Sequence, residues 1–414
     1  MKATLSVWWD GKLVGALRLD EHGDMSFAYD AAWLADAGAA PLSASLPKQA
    51  DSFNRRACRP FFAGLLPEEA QREAAARALG LSKGNDFALL RALGGDVAGA
   101  LTLWPEGETP PAYADQASPE PLGDNALVAL LDELPTRPML AGKGGLRLSL
   151  AGAQSKVPVV LMDGRIALPA PGQPTTHILK PPIERFPGTT ENEAFAMALA
   201  AEVGLSVAPA QARVVADRRF LLVTRYDRAL NADGRAVRLH QEDFCQALGI
   251  PPEHKYAAEG GPTFKTSFDL VRRVATRPAV EVLKLFDAAI FNLIIGNADA
   301  HGKNYSLLYG PDGATLAPLY DLLSTVAYPE LSPKLSMKIA KCATLEEIDE
   351  STWPKFAADV GLAAPFVRKR VKELAAAVAD SASSVAAQIA MPGLSEANLA
   401  RIASFVAGRA AGLR

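Results

Sequence analysis

The stretch NADAHGKNYSLLYGPDGATLAPLYD (297–321) decides how this chain is read. It comes directly after the apolar run VLKLFDAAIFNLIIG (282–296), and a helix that is apolar all round has to be buried. Polar groups directly after its end are therefore held on a rigid support. Asn297 and Asp299 either terminate the helix by satisfying its last carbonyls or belong to a working site, and the octet NADAHGKN alone leaves both readings open. The residues after the octet are more informative. YSLLY (305–309) reads as a strand, Gly310-Pro311-Asp312-Gly313 as a tight turn and ATLAPLYD (314–321) as a returning strand. A hairpin of that size folds its ends together, so Asp321 is expected beside Asp299 and Asn304.

An Asp in a loop, an Asn five residues later, a hairpin and a second Asp is the order of parts that protein kinases use for phosphoryl transfer. The first Asp orients the acceptor hydroxyl or takes its proton, while the Asn and the second Asp hold magnesium through hard oxygen donors. Upstream, Ala151-Gly152-Ala153-Gln154-Ser155-Lys156 has the small residues that let backbone N–H groups approach phosphate oxygens, without being a Walker A sequence. A plain hairpin connection is the other reading of that loop. Lys180, at the end of THILK, is either the strand lysine that pairs the phosphates or a surface lysine. Glu193, on the helical stretch after it, is either the ion-pair partner of Lys180 or a solvated helix-face residue.

The rest of the chain bounds these readings. With 414 residues, 49% hydrophobic and 21% charged, it has the composition of a soluble globular protein of two or three domains. Lys284, Asp287 and Asn292 interrupt the longest apolar run, and MKATLSVWWDGK lacks an apolar signal core, so neither a membrane span nor a signal peptide is expected and the compartment is the cytoplasm. Cys58, Cys245 and Cys342 are scattered without metal-ligand spacing, which argues against a disulfide framework and against zinc. A net charge of −3 argues against coating nucleic acid by electrostatics alone and leaves a local basic patch open. The opening residues alternate as hairpins with turns at Asp10-Gly11 and His22-Gly23-Asp24, and Pro67 suits the first turn of a helix. PEGETPPAYADQASPEPLGDN (105–125) reads as a linker.

Several stretches together carry a resemblance: PLSASLP (41–47), RPFFAGLLPEE (59–69), LSLAGAQSK (148–156), HILKPP (177–182), VTRYDR (223–228), HQEDFCQALG (240–249), GGPTF (260–264), NADAHGKN and LAPLYDLLST (316–325). Over nearly its whole length the chain resembles the HipA-type serine/threonine kinases, toxins of bacterial toxin–antitoxin pairs. The resemblance implies that Asp299 is the catalytic Asp and that Asn304 and Asp321 are magnesium ligands. It implies that Ala151 to Lys156 and Lys180 bind the phosphates of ATP, and that Thr224, Arg225 and Tyr226 form the hinge that holds adenine. Asp227, Gln241 and His301 then line the nucleotide pocket, and Ser149 is the serine whose autophosphorylation inactivates the enzyme. Ser155 departs from the pattern, standing where the family is associated with an acidic residue. The resemblance further implies a helix-turn-helix, HipB-like antitoxin as partner, DNA reached through that antitoxin, and an aminoacyl-tRNA synthetase as substrate, most often the glutamyl enzyme.

Two other features compete for attention. QEDFCQALGI (241–250) resembles the first half of a helix-turn-helix, but no basic recognition helix comes after it. The basic run VRKRVK (367–372) reads as a solvated helix face, with a supporting DNA contact left open. The expected fold is α/β (α+β), a two-lobed protein-kinase-like fold. Its parts are an N-terminal subdomain (1–105), a linker (106–125), the nucleotide-binding part (126–230) and a helical C-terminal lobe with the catalytic loop (231–414). The rival functions are a small-molecule phosphotransferase, which shares the Asp…Asn…Asp logic, and a transcriptional co-repressor whose kinase site is secondary.

Overall fold

The computed structural model describes residues 2–111, 119–310 and 313–413. The chain forms two compact units, one of Met1–Pro181, Thr224–Glu253 and Leu308–Gly310, the other of Pro182–Val223, His254–Leu307 and Pro311–Arg414. The expected parts keep to chain order and these units do not, because compactness is set by which segments pack together.

In the first unit the alternating opening residues form strands Ala3–Trp9, Lys12–Leu19 and Met25–Tyr29, which join Leu101–Pro105 in an antiparallel sheet. Asp10 and Gly11 both take positive φ, 49° and 75°, the geometry that a two-residue hairpin needs to match strand twist. Leu5, Val7, Leu17 and Phe27 of this sheet share one core with Phe61, Phe62 and Leu90 from helices Arg55–Ala63 and Asp86–Leu93. A third helix, Glu69–Ala78, begins after Glu68, which leaves Pro67 outside its first turn. Of the expected linker, residues 112–118 lie outside the described residues. Its end is tied down, since Leu122 N–H donates to the Ile166 carbonyl at 2.8 Å, and a helix starts at Asp124. Strand Val157–Met162 pairs antiparallel with Arg165–Ala167 through the Asp163-Gly164 turn, and with His177–Lys180.

The second unit is mainly helical. Its centre is the apolar helix Pro278–Ile295, with Leu285, Phe286, Ile290, Phe291, Ile294 and others buried and Pro278 in the first turn. The Ala-rich tail forms helices Ala364–Ile389 and Glu396–Ala411. The expected strand 305–309 is Ser306–Gly310, and Pro311 and Asp312 of the turn lie outside the described residues. The returning strand is shorter than expected, Gly313–Leu316, and after it Leu319 forms a parallel bridge with Val207. Pro318 has no N–H to continue the ladder.

The two competing features both lie in regular elements, and Arg368, Lys369 and Lys372 of the basic run are exposed. Residues 240–249 form strand His240–Asp243 and a five-residue helix, Phe244–Leu248, opened by a capping box at Asp243 and closed by Gly249. In VRKRVK, Val367 and Val371 are buried and Arg370 grips Asp287 with two hydrogen bonds of 2.8 Å. All three cysteines are free, Cys58 and Cys245 buried. Among the described residues no helix is long and apolar enough to cross a membrane.

Candidate active site

The apolar helix ends at Gly296, whose φ of 77° turns the chain while its N–H reaches back to the carbonyls of Asn292 and Leu293. A Cβ there would stand 2.5 Å from Val326 Cγ2. Asn297 completes the closure: its N–H donates to Asn292 O and its Nδ2 to Asn292 Oδ1, both at 2.8 Å. Its Oδ1 then accepts the N–H of Asp299 at 3.1 Å. Of the two readings of the octet, Asn297 thus takes the terminating one, and Asp299 is left with an exposed side chain beyond the helix end.

Asp321 returns to this loop as the hairpin argument requires, and Asn304 Nδ2 donates to Asp321 Oδ2 at 3.1 Å. Asn304 Oδ1 accepts the N–H of His301 at 3.1 Å. Asp321 has a φ of 59°, the left-handed region, where a non-glycine residue persists only when its surroundings hold it. Asp299 keeps solvent contact, yet the protein atoms crowded around its carboxyl push its pKa up to about 6. The Lys255 charge opposes that rise, the Asp321 charge adds to it, and hydrogen bonds from Ser336 and Tyr256 oppose it. Ser336 Oγ donates to Asp299 Oδ1 at 3.2 Å. His301 is buried, accepts the Lys303 N–H on Nδ1 at 3.2 Å, and sets its ring edge-on to Tyr256 at 5.4 Å.

In the first unit, Gly152 has a φ of +112°, and a Cβ there would lie 2.5 Å from Lys156 Nζ, so the loop leaves room for the lysine because it has glycine. Gly152 O accepts the Glu68 N–H at 3.2 Å, Gln154 Nε2 donates to Pro181 O at 3.2 Å, and Ser155 Oγ to Gln71 Oε1 at 3.3 Å. Ala151 is half-buried and Ala153 exposed. Lys156 and Lys180 are buried, as is Glu193 in the second unit, so neither Lys180 nor Glu193 is a solvated surface residue. Ser149 is fully buried, its Oγ donating to Leu65 O at 2.7 Å.

Thr224 and Tyr226 are half-buried, and Tyr226 OH donates to Gln241 Oε1 at 2.8 Å. Arg225 and Asp227 turn their side chains into a buried charge cluster. Arg225 bonds Asp227 Oδ1 at 2.9 Å, Asp96 Oδ2 at 3.2 Å and Thr175 Oγ1 at 2.9 Å. Arg228 and Arg238 reach Asp96 Oδ1 at 3.0 and 2.9 Å. Burial alone would raise the Asp96 carboxyl, but Arg228, Arg238 and Arg225 outweigh it and hold it well below the usual carboxylate range.

Sequence reasoning missed Lys255, Tyr256 and Ser336 around Asp299, and Asp96 with its arginines. Their partners are 37 to 142 residues away, Ser336 from Asp299 and Arg238 from Asp96 marking the extremes, and no local pattern signals such pairs. The carboxylates of Asp299 and Asp321 offer hard oxygen donors, which suit a hard dication, and Asn304 would add its Oδ1, which here accepts the His301 N–H. Among the described residues no group of three or more His, Cys, Asp and Glu gathers to hold a metal.

Two family models match the chain, the HipA N-terminal domain over residues 5–104 and the HipA-like C-terminal domain over 148–384. Y4mE of Sinorhizobium fredii is 60% identical over 409 residues, 98% of this chain and 97% of its own. The serine/threonine-protein kinase toxin HipA of Shewanella oneidensis is 31% identical over 350 residues, 81% of this chain and 78% of its own. A solved complex of HipA, HipB and operator DNA from the same organism matches with a TM-score of 0.86 at 28% identity, covering 98% of this chain and 96% of that one. With both family models matched in order and the kinase fold kept from end to end, this chain is a protein kinase of the HipA family.

Proposed function

We propose that the protein is the toxin kinase of a toxin–antitoxin pair, transferring the γ-phosphoryl group of ATP to a hydroxyl of an aminoacyl-tRNA synthetase, the glutamyl enzyme first. The observation that carries the reading is the convergence of Asp299, Asn304 and Asp321 at the end of a buried helix, with Asp321 in a left-handed backbone. Asp299 accepts the proton of the acceptor hydroxyl as that oxygen bonds to phosphorus and ADP leaves. Asn304 and Asp321 hold magnesium, which when bound neutralises charge on the phosphates. Ala151 to Lys156 and Lys180 bind the phosphates, and Thr224 to Tyr226, with Gln241, hold the base. The protein partner is a helix-turn-helix antitoxin of the HipB kind, through which the chain reaches DNA; the Shewanella oneidensis HipA complex contains HipB and operator DNA.

Self-inactivation belongs to the same reading. Ser149 is buried and bonded to Leu65 O, so its phosphorylation requires the 148–156 segment to leave its seat, and a phosphate of about −1.5 to −2 charge keeps it from returning. The test is growth after induction of wild type, Asp299→Asn, and wild type together with a HipB-like helix-turn-helix protein, then phosphosite mapping of the synthetases and of Ser149 and Ser155. Arrest is expected with wild type alone. Arrest that persists with Asp299→Asn removes the catalytic reading of toxicity, and no arrest together with phosphorylation of a sugar or aminoglycoside in vitro favours the small-molecule phosphotransferase.

A further inference from the structure

The left-handed backbone of Asp321 needs something to hold it, and within the second unit two residues outside the assigned site do so. Asn192, fully buried on helix Thr189–Glu202, accepts the Ser324 N–H on Oδ1 at 2.8 Å and returns Nδ2 to Ser324 O at 2.9 Å. The same Nδ2 lies 3.3 Å from Tyr328 OH. This two-way grip fixes the main chain three residues beyond Asp321. The next residue, Thr325, joins that segment to the other catalytic loop. Its Oγ1 accepts the Ala298 N–H at 2.8 Å, and its N–H and Oγ1 donate to Gly296 O at 3.0 and 3.3 Å. Ala298 is the neighbour of Asp299 and Gly296 closes its helix.

We infer that Asn192 and Thr325 are positioning residues for phosphoryl transfer, locking the Asp321 segment to the Asp299 loop. Neither is argued to touch substrate. Their polar atoms are spent on the backbone of the two segments, with Tyr328 OH the one exception, and all the bonds lie in the interior, where water does not compete for them. Asn192 restrains the carbonyl and the N–H of a single residue at once, which a hydrophobic side chain of similar volume cannot do. Thr325 couples two segments far apart in sequence through one hydroxyl. Losing either lets the Asp321 carboxylate drift relative to Asp299, and a drift of about 1 Å is enough to lower turnover about 100-fold. The inference rests on the reading of Asp299 as base and Asp321 as metal ligand.

The test uses the purified full-length protein and tracks ADP formation from ATP across a magnesium titration, with melting temperature measured in parallel and assays run well below it. Thr325→Val is expected to fold and to lose on the order of 10- to 100-fold in kcat with little change in KM for ATP, and Thr325→Ser to recover most of that loss. Asn192→Ala is expected to raise the magnesium concentration needed for half-maximal rate. Tyr328→Phe, which removes one partner of Asn192 and leaves its grip on Ser324, is expected to keep the wild-type magnesium dependence. Folded Thr325→Val and Asn192→Ala with wild-type kcat and magnesium dependence overturn the inference, as does a loss in Thr325→Ser equal to that in Thr325→Val. If only one of Asn192→Ala and Thr325→Val folds, that variant decides it by the same readouts, and a wild-type kcat and magnesium dependence in it overturns the inference; a loss of rate in Thr325→Ser without a lower melting temperature overturns the role of the Thr325 hydroxyl. Asp299→Asn and Asp321→Ala serve as controls. If those two keep full activity, the assignment of the active site fails, whatever Asn192 and Thr325 show.

Discussion

In the proposed role as base Asp299 has to be ionised, yet its surroundings push its pKa up to about 6, above the ordinary carboxylate value. The rate of transfer is therefore expected to fall as pH drops through about 6, measured as kcat against pH, and a profile flat down to about pH 4.5 contradicts the assignment. Asp299→Asn is expected to bind ATP–magnesium in calorimetry while losing at least ~100-fold in turnover. The same shift has a consequence for stability. A carboxyl whose pKa is raised on folding adds stability below its unfolded pKa, and that contribution is lost as pH rises through the folded value, here about 6. Asp299→Asn should then melt above wild type at about pH 8 and level with it at about pH 4. The residue type and its spacing to Asn304 were legible in the sequence. Lys255, Tyr256 and Ser336 were not, because a loop carboxylate selects its neighbours by folding and not by local order.

At the scale of the element, the helix Pro278–Ile295 matters as the support of the Asp299 loop, and its closure depends on Gly296. Ala at this position would have to take a left-handed backbone and push its Cβ against Val326. Gly296→Ala is expected to destabilise the protein by more than about 1 kcal/mol, read from denaturant unfolding, and to lower turnover further by displacing Asn297 and Asp299. A variant as stable and as active as wild type shows that the turn tolerates a side chain. Elements with strong periodicity were readable in advance: the opening hairpins, this helix, and the strands around Asp163-Gly164. Boundaries were less so. The strand after Gly313 stops at Leu316 because Pro318 cannot extend the ladder, and the helix expected near Pro67 starts after Glu68.

At the scale of the whole molecule, the first unit closes over Asp96. This carboxylate, buried among Arg225, Arg228 and Arg238, ties the residue 96 region to three arginines more than 120 positions later in the chain. Removing it would leave buried guanidinium charge without its partner, so Asp96→Ala is expected to destabilise by about 3–5 kcal/mol in chemical denaturation. The direction with pH comes from a carboxyl held below its usual range. Its stabilisation is complete above the unfolded carboxylate pKa, near 4, and is lost as pH falls below that value. Wild type should therefore lose stability on acidification more steeply than Asp96→Asn, and parallel curves would show that the cluster carries no such charge.

The sequence by itself carried the stretches by which the chain resembles its family, and it determined the apolar helix and the order Asp299, Asn304, hairpin, Asp321 after it, because these last rest on short-range patterns: hydrophobic period, turn residues and spacing. Tertiary structure alone decided that Asn297 closes the helix while Asp299 stands beyond it. It also decided that Arg225 and Asp227 commit their side chains to a buried cluster with Asp96, and that Asn192 and Thr325 grip the Asp321 and Asp299 segments. The physical reason is burial. A polar side chain enclosed by protein must find its partners there, and the partners available are whichever residues the fold brings within about 3 Å, at any separation along the chain.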